Sequence, residues 1–226
     1  MSGGLDSVCY AGSLAQSGSD LYTITFDYNQ RARPEIQRAK YFAKIIGSRE
    51  HKVVDISFMQ RLYGSSNALT NRKISLAENF NNDLVVPIRN AVFLTIATAW
   101  ALSMGASKVA YGAHRDDVAH YPDCRPEFVK SLQDSLNLAD SDNISLRRHQ
   151  EISIISPVIS GLGKSELLKA GYLLFAERLF KTWSCYSGGL KRGSRLLHCG
   201  SCESCINRKN AFKKAQIHDK TGYARE

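Results

Sequence analysis

Proline is scarce, with five residues in the chain, and the 16 glycines follow no repeat, so neither a collagen-like nor a Pro/Gly-rich disordered chain fits. No apolar run reaches the roughly 18 residues that a bilayer core of about 30 Å demands; the nearest, Ala91 to Met104, is interrupted by Thr and Trp. The opening Met1-Ser2-Gly3-Gly4 lacks the apolar stretch of a secretory signal. No internal repeat or low-complexity tract is present. These absences leave a cytoplasmic protein with no membrane contact as the expectation. In a reducing cytosol the six cysteines are not expected to form disulfides, so close Cys spacing points to metal or catalysis.

What is present describes a folded enzyme-sized chain. A hydrophobic content of 43% is enough for a packed core, and 226 residues suit one domain with a small appendage. The excess of 30 Lys and Arg over 21 Asp and Glu, a formal +9, suits an anionic partner: nucleotide, pyrophosphate or RNA. Runs at Leu21–Asp27, His51–Ile56, Lys108–Gly112 and Glu151–Val158 read as strands. Helical patterns run over Pro34–Ile46, Arg89–Met104 and Pro126–Leu138, with a helix start at Gly163–Lys169 and another helix over Gly171–Lys181. The alternation predicts an α/β fold with a Rossmann-like parallel sheet and ligands at the carboxyl ends of the strands. Phe58 to Asn82 reads as a loop or lid with a short helix. Composition shifts near Lys181 toward Cys, Gly, Lys and Arg, which divides the chain into an α/β domain over 1–181 and a four-cysteine helical tail over 182–226.

Two segments carry chemistry. Ser2-Gly3-Gly4-Leu5-Asp6-Ser7 leads into a helix over Val8–Gln16. Adjacent glycines let a phosphate approach the backbone, their amides can point at it, and the helix start adds its positive end. It is not a Walker A loop, because no Gly-Lys-Ser/Thr follows. Farther on, Cys185, Cys199, Cys202 and Cys205 form C-x13-C-x2-C-x2-C, a ligand set for a tetrahedral, structural Zn²⁺. An iron–sulfur cluster is the rival; the absence of a following Cys-Pro and the basic Lys191, Arg192, Arg195 and Arg208 favour zinc. Cys9 and Cys124 fall outside the set.

The loop resembles that of the PP-loop ATP pyrophosphatases, which cleave ATP between the α and β phosphates and whose loop follows a central strand; here almost nothing precedes it. Taken in order with Thr25-Phe-Asp-Tyr-Asn-Gln30, Val86-Pro-Ile-Arg-Asn90, Tyr121-Pro-Asp-Cys-Arg125, Glu127-Phe128, Thr182-Trp-Ser-Cys-Tyr186 and the cysteine cluster, it resembles the 7-cyano-7-deazaguanine synthase family over nearly the whole chain. Asn29 stands where that family commonly has glycine, Ile88 interrupts its Pro-Gly-Arg-Asn, residues 113–117 differ, and the interval from Cys185 to Cys199 is longer.

The resemblance implies conversion of 7-carboxy-7-deazaguanine, ammonia and ATP to the nitrile, through an adenylated acid and an adenylated amide, with AMP and diphosphate released. It implies ATP at Ser2, Gly3, Gly4, Leu5, Asp6, Ser7 and Asp27, with Mg²⁺ sharing the phosphate charge. It places Asp6, Ser7, Arg89 and Lys164 in the chemistry and Asp123, Arg125 and Glu127 at the substrate. Asp123 and Glu127 could accept the N–H donors of the purine edge. Plainer roles stand beside these: a helix cap for Asp6, a turn for Asp27, a solvated Arg89, a salt-bridged Lys164, a first-turn acid for Glu127. The family also implies a homodimer. Two other readings remain: a PP-loop paralogue adenylating a different acceptor, as in tRNA thiolation with Cys124 as nucleophile or deazapurine conjugation, and a zinc-stabilised RNA-binding module without catalysis. Direct nucleic-acid contact is not expected of the first reading.

Overall fold

The strand β1 (Tyr22–Asp27) turns Thr23, Thr25 and Phe26 inward and pairs in parallel with β2 (Glu50–Asp55), from Tyr22 opposite Glu50 to Asp27 opposite Asp55. Between them α2 (Pro34–Ile45) starts on a proline, which suits the first turn, and buries Ile36, Ala39, Phe42 and Ala43 at helical spacing. The computed structural model describes residues 1–64, 67–71 and 73–225. Contacts divide the chain into two units, one of Met1–Val86 with the residues from Lys164 onward, the other Pro87–Gly163.

In the first unit, α1 (Leu5–Gln16) lies against α7 (Lys164–Phe175), and the pair shares one core with Phe42, Leu179 and the tail helix α8 (Glu203–Ala215) through Ala211, Phe212 and Ala215. The tail therefore packs in the same unit as the glycine loop, a partition that runs elsewhere than the composition boundary at 181/182. The predicted helix break at Gly171 is not found. Gly171 sits inside α7 because Cys9 of α1 fills the space above it: an added Cβ would lie 2.2 Å from the Cys9 sulfur. The last predicted helical stretch is instead a 3₁₀ segment, Ala176–Lys181. Two short strands, β5 (Leu190–Arg192) and β6 (Arg195–Leu197), form an antiparallel hairpin across Gly193-Ser194. Its glycine at positive φ is the signal that a two-residue turn gives. Of the 58–82 segment, α3 (Phe58–Tyr63) is the short helix expected; residues 65, 66 and 72 of it lie outside the described residues.

In the second unit, β3 (Lys108–Ala110) pairs in parallel with β4 (Ser153–Ile155), and α4 (Arg89–Ser103) and α5 (Pro126–Ala139) pack a core of Leu94, Ala101, Val109, Val129, Ile152 and Ile154. A five-residue helix α6 (Ser141–Ser145) follows α5. By length and composition Asn82–Ser103 could cross a membrane, with 22 residues at a mean hydropathy of 1.5. Its regular helix α4 has only 15 residues, about 22 Å at 1.5 Å per residue, and packs Leu94 and Ala101 into the core.

The parallel pairings expected of the fold are thus present as two pairs, one in each unit. Ahead of the glycine loop, Met1 runs beside β1: its amino nitrogen donates to the Ile24 carbonyl, and Thr25 Oγ1 donates to the Met1 carbonyl at 2.5 Å.

The Gly171 contact is directly testable. Gly171→Ala forces a methyl group into the Cys9 side chain, so chemical denaturation should give a stability loss of about 1–3 kcal/mol despite alanine's better helix propensity.

Candidate active site and metal centre

The glycine loop is held from both sides by backbone. Gly3 has φ +86°, and a Cβ there would lie 2.2 Å from the Glu35 carbonyl oxygen and 2.6 Å from the Ala39 nitrogen of α2. Its own carbonyl accepts the Trp183 N–H at 2.9 Å. Only glycine fits that slot and that dihedral. The hydroxyls of Ser2 and Ser7 lie 3.0 Å apart, Ser7 Oγ accepts the Ser2 N–H at 3.1 Å, and Ser2 Oγ accepts the Gly4 N–H at 3.2 Å. Leu5 is buried at the start of α1. The loop is a small ring of hydroxyls and amides at the positive end of a 12-residue helix, a geometry that receives phosphate oxygens.

Lys164, the first residue of α7, reaches the loop: its Nζ is 2.5 Å from Asp6 Oδ2, with both side chains partly buried. Two of the expected catalytic residues are therefore in contact, 158 positions apart in sequence. The remaining carboxylate expected there, Asp27, is committed to its own loop: Oδ1 accepts the Asn29 N–H at 3.0 Å and Oδ2 pairs with Arg33 at 3.1 Å. Asn29 takes φ 62°, a left-handed conformation that Asn tolerates, in place of the glycine common there. Asp6 and Asp27 each carry a cation partner on one carboxylate oxygen.

The other expected residues lie in the second unit. Asp123 is not a free acceptor: Oδ2 takes the Asn90 backbone N–H at 2.9 Å and Oδ1 takes Asn90 Nδ2 at 3.1 Å, so it clamps the first turn of α4 beside Arg89. Asn90 Nδ2 also lies 3.3 Å from Cys124 Sγ. Ile88, just before Arg89, has φ 49° and a mostly exposed side chain, a strained conformation for a β-branched residue. Arg125 caps α5 and donates from Nε to the Val118 carbonyl at 3.2 Å. Glu127 is exposed in the first turn of α5. Cys124 is buried, and burial first, then the nearby Asp117 and Asp123 charges, push its thiol far up from the ordinary range. Burial does the same to Cys9.

Cys185, Cys199, Cys202 and Cys205 are all buried, and their sulfurs lie within 4.8 Å of one another. Zn–S bonds of about 2.3 Å in a tetrahedron require sulfur separations of about 3.8 Å; Cys199 and Cys205 are 3.8 Å apart and Cys202 and Cys205 3.5 Å. The Cys199 and Cys202 amides donate to the sulfurs of Cys185 and Cys199, both at 3.3 Å, as thiolates demand. Four thiolates this close repel one another without a cation between them, so the donor set fits a structural zinc.

A sequence model of the family described as "queuosine biosynthesis protein QueC" matches residues 1–216. This chain belongs to that family. Among its relatives, the 7-cyano-7-deazaguanine synthase of Caldicellulosiruptor saccharolyticus is 38% identical, covering 99% of this chain and 93% of the relative. The protein of the same name in Psychromonas ingrahamii is 37% identical, covering 98% and 95%, and that of Nostoc sp. 36%, covering 99% and 95%. As a member of the QueC family the chain is a PP-loop α/β protein, in agreement with its sequence and its parallel strand pairs.

Three contributors were not singled out from sequence. Trp183 bridges the loop and the cysteines, with its Nε1 donating to the Cys185 carbonyl at 3.0 Å. Asn90 organises Asp123, and its place beside Arg89 was the available signal. Arg208, which the sequence marks only as one of the basic residues around the cysteines and in the tail, is fully buried and donates to Thr182, Ser184 and Thr221.

The purified chain should contain about one zinc by elemental analysis and show no visible-region colour. Cys205→Ser should lose the metal; a loss of only about 3 kcal/mol would already lower Tm by roughly 6–12 °C in a melting experiment.

Proposed function

We propose that this chain makes 7-cyano-7-deazaguanine from 7-carboxy-7-deazaguanine, ammonia and ATP. The observation that carries the reading is the glycine loop, a hydroxyl-and-amide ring at the start of α1 with Lys164 Nζ against Asp6, in a chain of the QueC family. Relatives named for this synthesis cover 98% or more of the chain.

The chemistry explains why such a loop is needed. The substrate carboxylate is a poor acyl donor because oxide would have to leave. Attack of its oxygen on the α phosphorus of ATP gives an acyl-AMP and expels diphosphate. Ammonia displaces AMP and loses a proton, leaving the amide. The amide oxygen attacks a second ATP, diphosphate leaves again, and loss of AMP and the nitrogen-bound protons forms the C≡N bond. In both adenylations negative charge develops on the departing diphosphate, where the amides of Gly3, Gly4 and Leu5 and the hydroxyls of Ser2 and Ser7 would receive it. Lys164 would turn from Asp6 toward the phosphates as that charge grows. Magnesium would enter with the ATP phosphates and screen their charge. On the substrate side Arg89, steadied through Asn90 and Asp123, would hold the carboxylate. Glu127, exposed, and Asp123, whose carboxylate oxygens each keep a lone pair beside the bond from Asn90, would accept the purine N–H donors. Arg125 completes that side. The zinc centre is structural. A homodimer in the cytoplasm, with small-molecule substrates and without nucleic acid, belongs to the same reading, and light scattering reads its oligomeric part.

Incubation with ATP, Mg²⁺, ammonium and 7-carboxy-7-deazaguanine should give the nitrile, AMP and diphosphate by mass spectrometry. AMP without amide or nitrile would overturn the reading. Lys164→Ala should lower kcat/KM by about 10²–10³-fold with the zinc content unchanged.

Thiolation chemistry would need a reactive cysteine outside the metal set. Cys124 is a poor nucleophile, since burial and two nearby carboxylates disfavour its thiolate. Cys124→Ser should retain turnover in the same assay, and iodoacetamide at neutral pH should leave Cys124 unlabelled in the native protein.

A further inference from the structure

Against Trp183, whose N–H is bonded to the Gly3 carbonyl, the first unit contains a cavity of about 320 Å³ that the reaction above does not use. Its walls come from α2, the 3₁₀ segment, the β5–β6 hairpin and residues 221–222. Three of the lining residues are cations, Arg38, Lys181 and Arg195, and none is an acid. Arg38 is half-buried, and neither it nor Arg195 makes an ion pair among the described residues. Lys181 Nζ leans over the Tyr41 ring at 5.2 Å from its centroid.

The buried polar groups of this wall are donors as well. His198 is 4% exposed, and its Nε2 accepts the Ser184 N–H at 3.1 Å. That bond requires a lone pair on Nε2, so Nδ1 carries the hydrogen and is the ring's remaining polar atom. No acceptor for it stands among the described residues. Thr221, 8% exposed, accepts Arg208 Nε at 3.0 Å, which leaves its own hydroxyl hydrogen to donate. Thr182, also lining the cavity, accepts Arg208 Nη1 at 2.8 Å. Arg208 itself is fully buried with no carboxylate bonded to it, and its Nη2 has no hydrogen-bond partner. A buried guanidinium thus polarises two hydroxyls of the wall; burial disfavours its charge, and Asp219 and Asp6, near but not bonded to it, offset part of that.

We propose that this cavity is a second oxyanion site that binds a phosphoryl anion of phosphate or diphosphate size, separate from the glycine loop. Unpaired arginines match phosphate oxygens in forked geometry, and a buried N–H and O–H supply neutral donors deeper in the wall. Trp183 of the same wall is bonded to the Gly3 carbonyl of the glycine loop.

Isothermal titration of the zinc-loaded full chain with sodium diphosphate and with sodium phosphate tests this. Binding should weaken with salt, and Arg38→Gln with Arg195→Gln should reduce affinity roughly tenfold or more. Ser2→Ala with Ser7→Ala, which strips the loop hydroxyls, should leave this binding in place. Should the double arginine variant not fold, as read by melting and zinc content, Arg195→Gln alone on the exposed hairpin serves the same comparison. Unchanged affinity in the arginine variant, or loss of all binding in the serine variant, overturns the proposal. So does tight binding of a tRNA that depends on Arg38 and Arg195 while neither small anion binds, since the surface would then serve a nucleic acid.

Discussion

The glycine loop keeps its shape because two backbones close on Gly3: α2 at Glu35 and Ala39 on one side and Trp183 on the other. No side chain longer than hydrogen fits between them, so the loop's amides are fixed before any ligand arrives. That wedge also links the loop to the metal centre. Trp183 is two residues from Cys185, bonds to its carbonyl, and has its ring 4.3 Å from that of His198. A metal ion bound by Cys185 would therefore also steady one wall of the loop.

The tail is accordingly not an appendage. Its helix α8 supplies Ala211, Phe212 and Ala215 to the core that also contains Leu5 and Val8 of α1. Arg208 lies inside this arrangement and joins Thr182, Ser184 and Thr221, three points of chain that would otherwise be independent. Leaving a guanidinium inside protein without a carboxylate is costly, and its hydroxyl partners offset only part of that cost. Asp219 and Asp6, near the guanidinium without bonding to it, favour its charge and offset part of the rest.

In the second unit the same economy of positioning falls to Asn90 and Asp123. The Asp123 carboxylate satisfies an otherwise unpaired amide in the first turn of α4 and fixes the approach to Arg89. Ile88 is forced into a left-handed conformation immediately before that turn, where glycine would be relaxed. The strain is concentrated at the residue that sets the direction of Arg89.

Much of this was legible in the chain. Period-two and helical apolar patterns marked the four parallel strands and most helices, because burial on one face imposes those periods, but not the β5–β6 hairpin. Four cysteines at close spacing gave the metal set, because a short turn can bring such neighbours to one ion. The order of short motifs gave the family. What the sequence did not disclose depends on contacts between distant segments. Gly171 looks like a helix break until Cys9 is seen above it; Asp123 looks like a free acceptor until Asn90 takes both its oxygens; Arg208 looks like surface charge until two threonines and a serine enclose it. Local sequence determined which elements form and which residues have the chemistry to bind metal and phosphate. Tertiary structure alone decided which of those groups are already engaged, because hydrogen bonding and burial are settled by neighbours that sequence separation conceals.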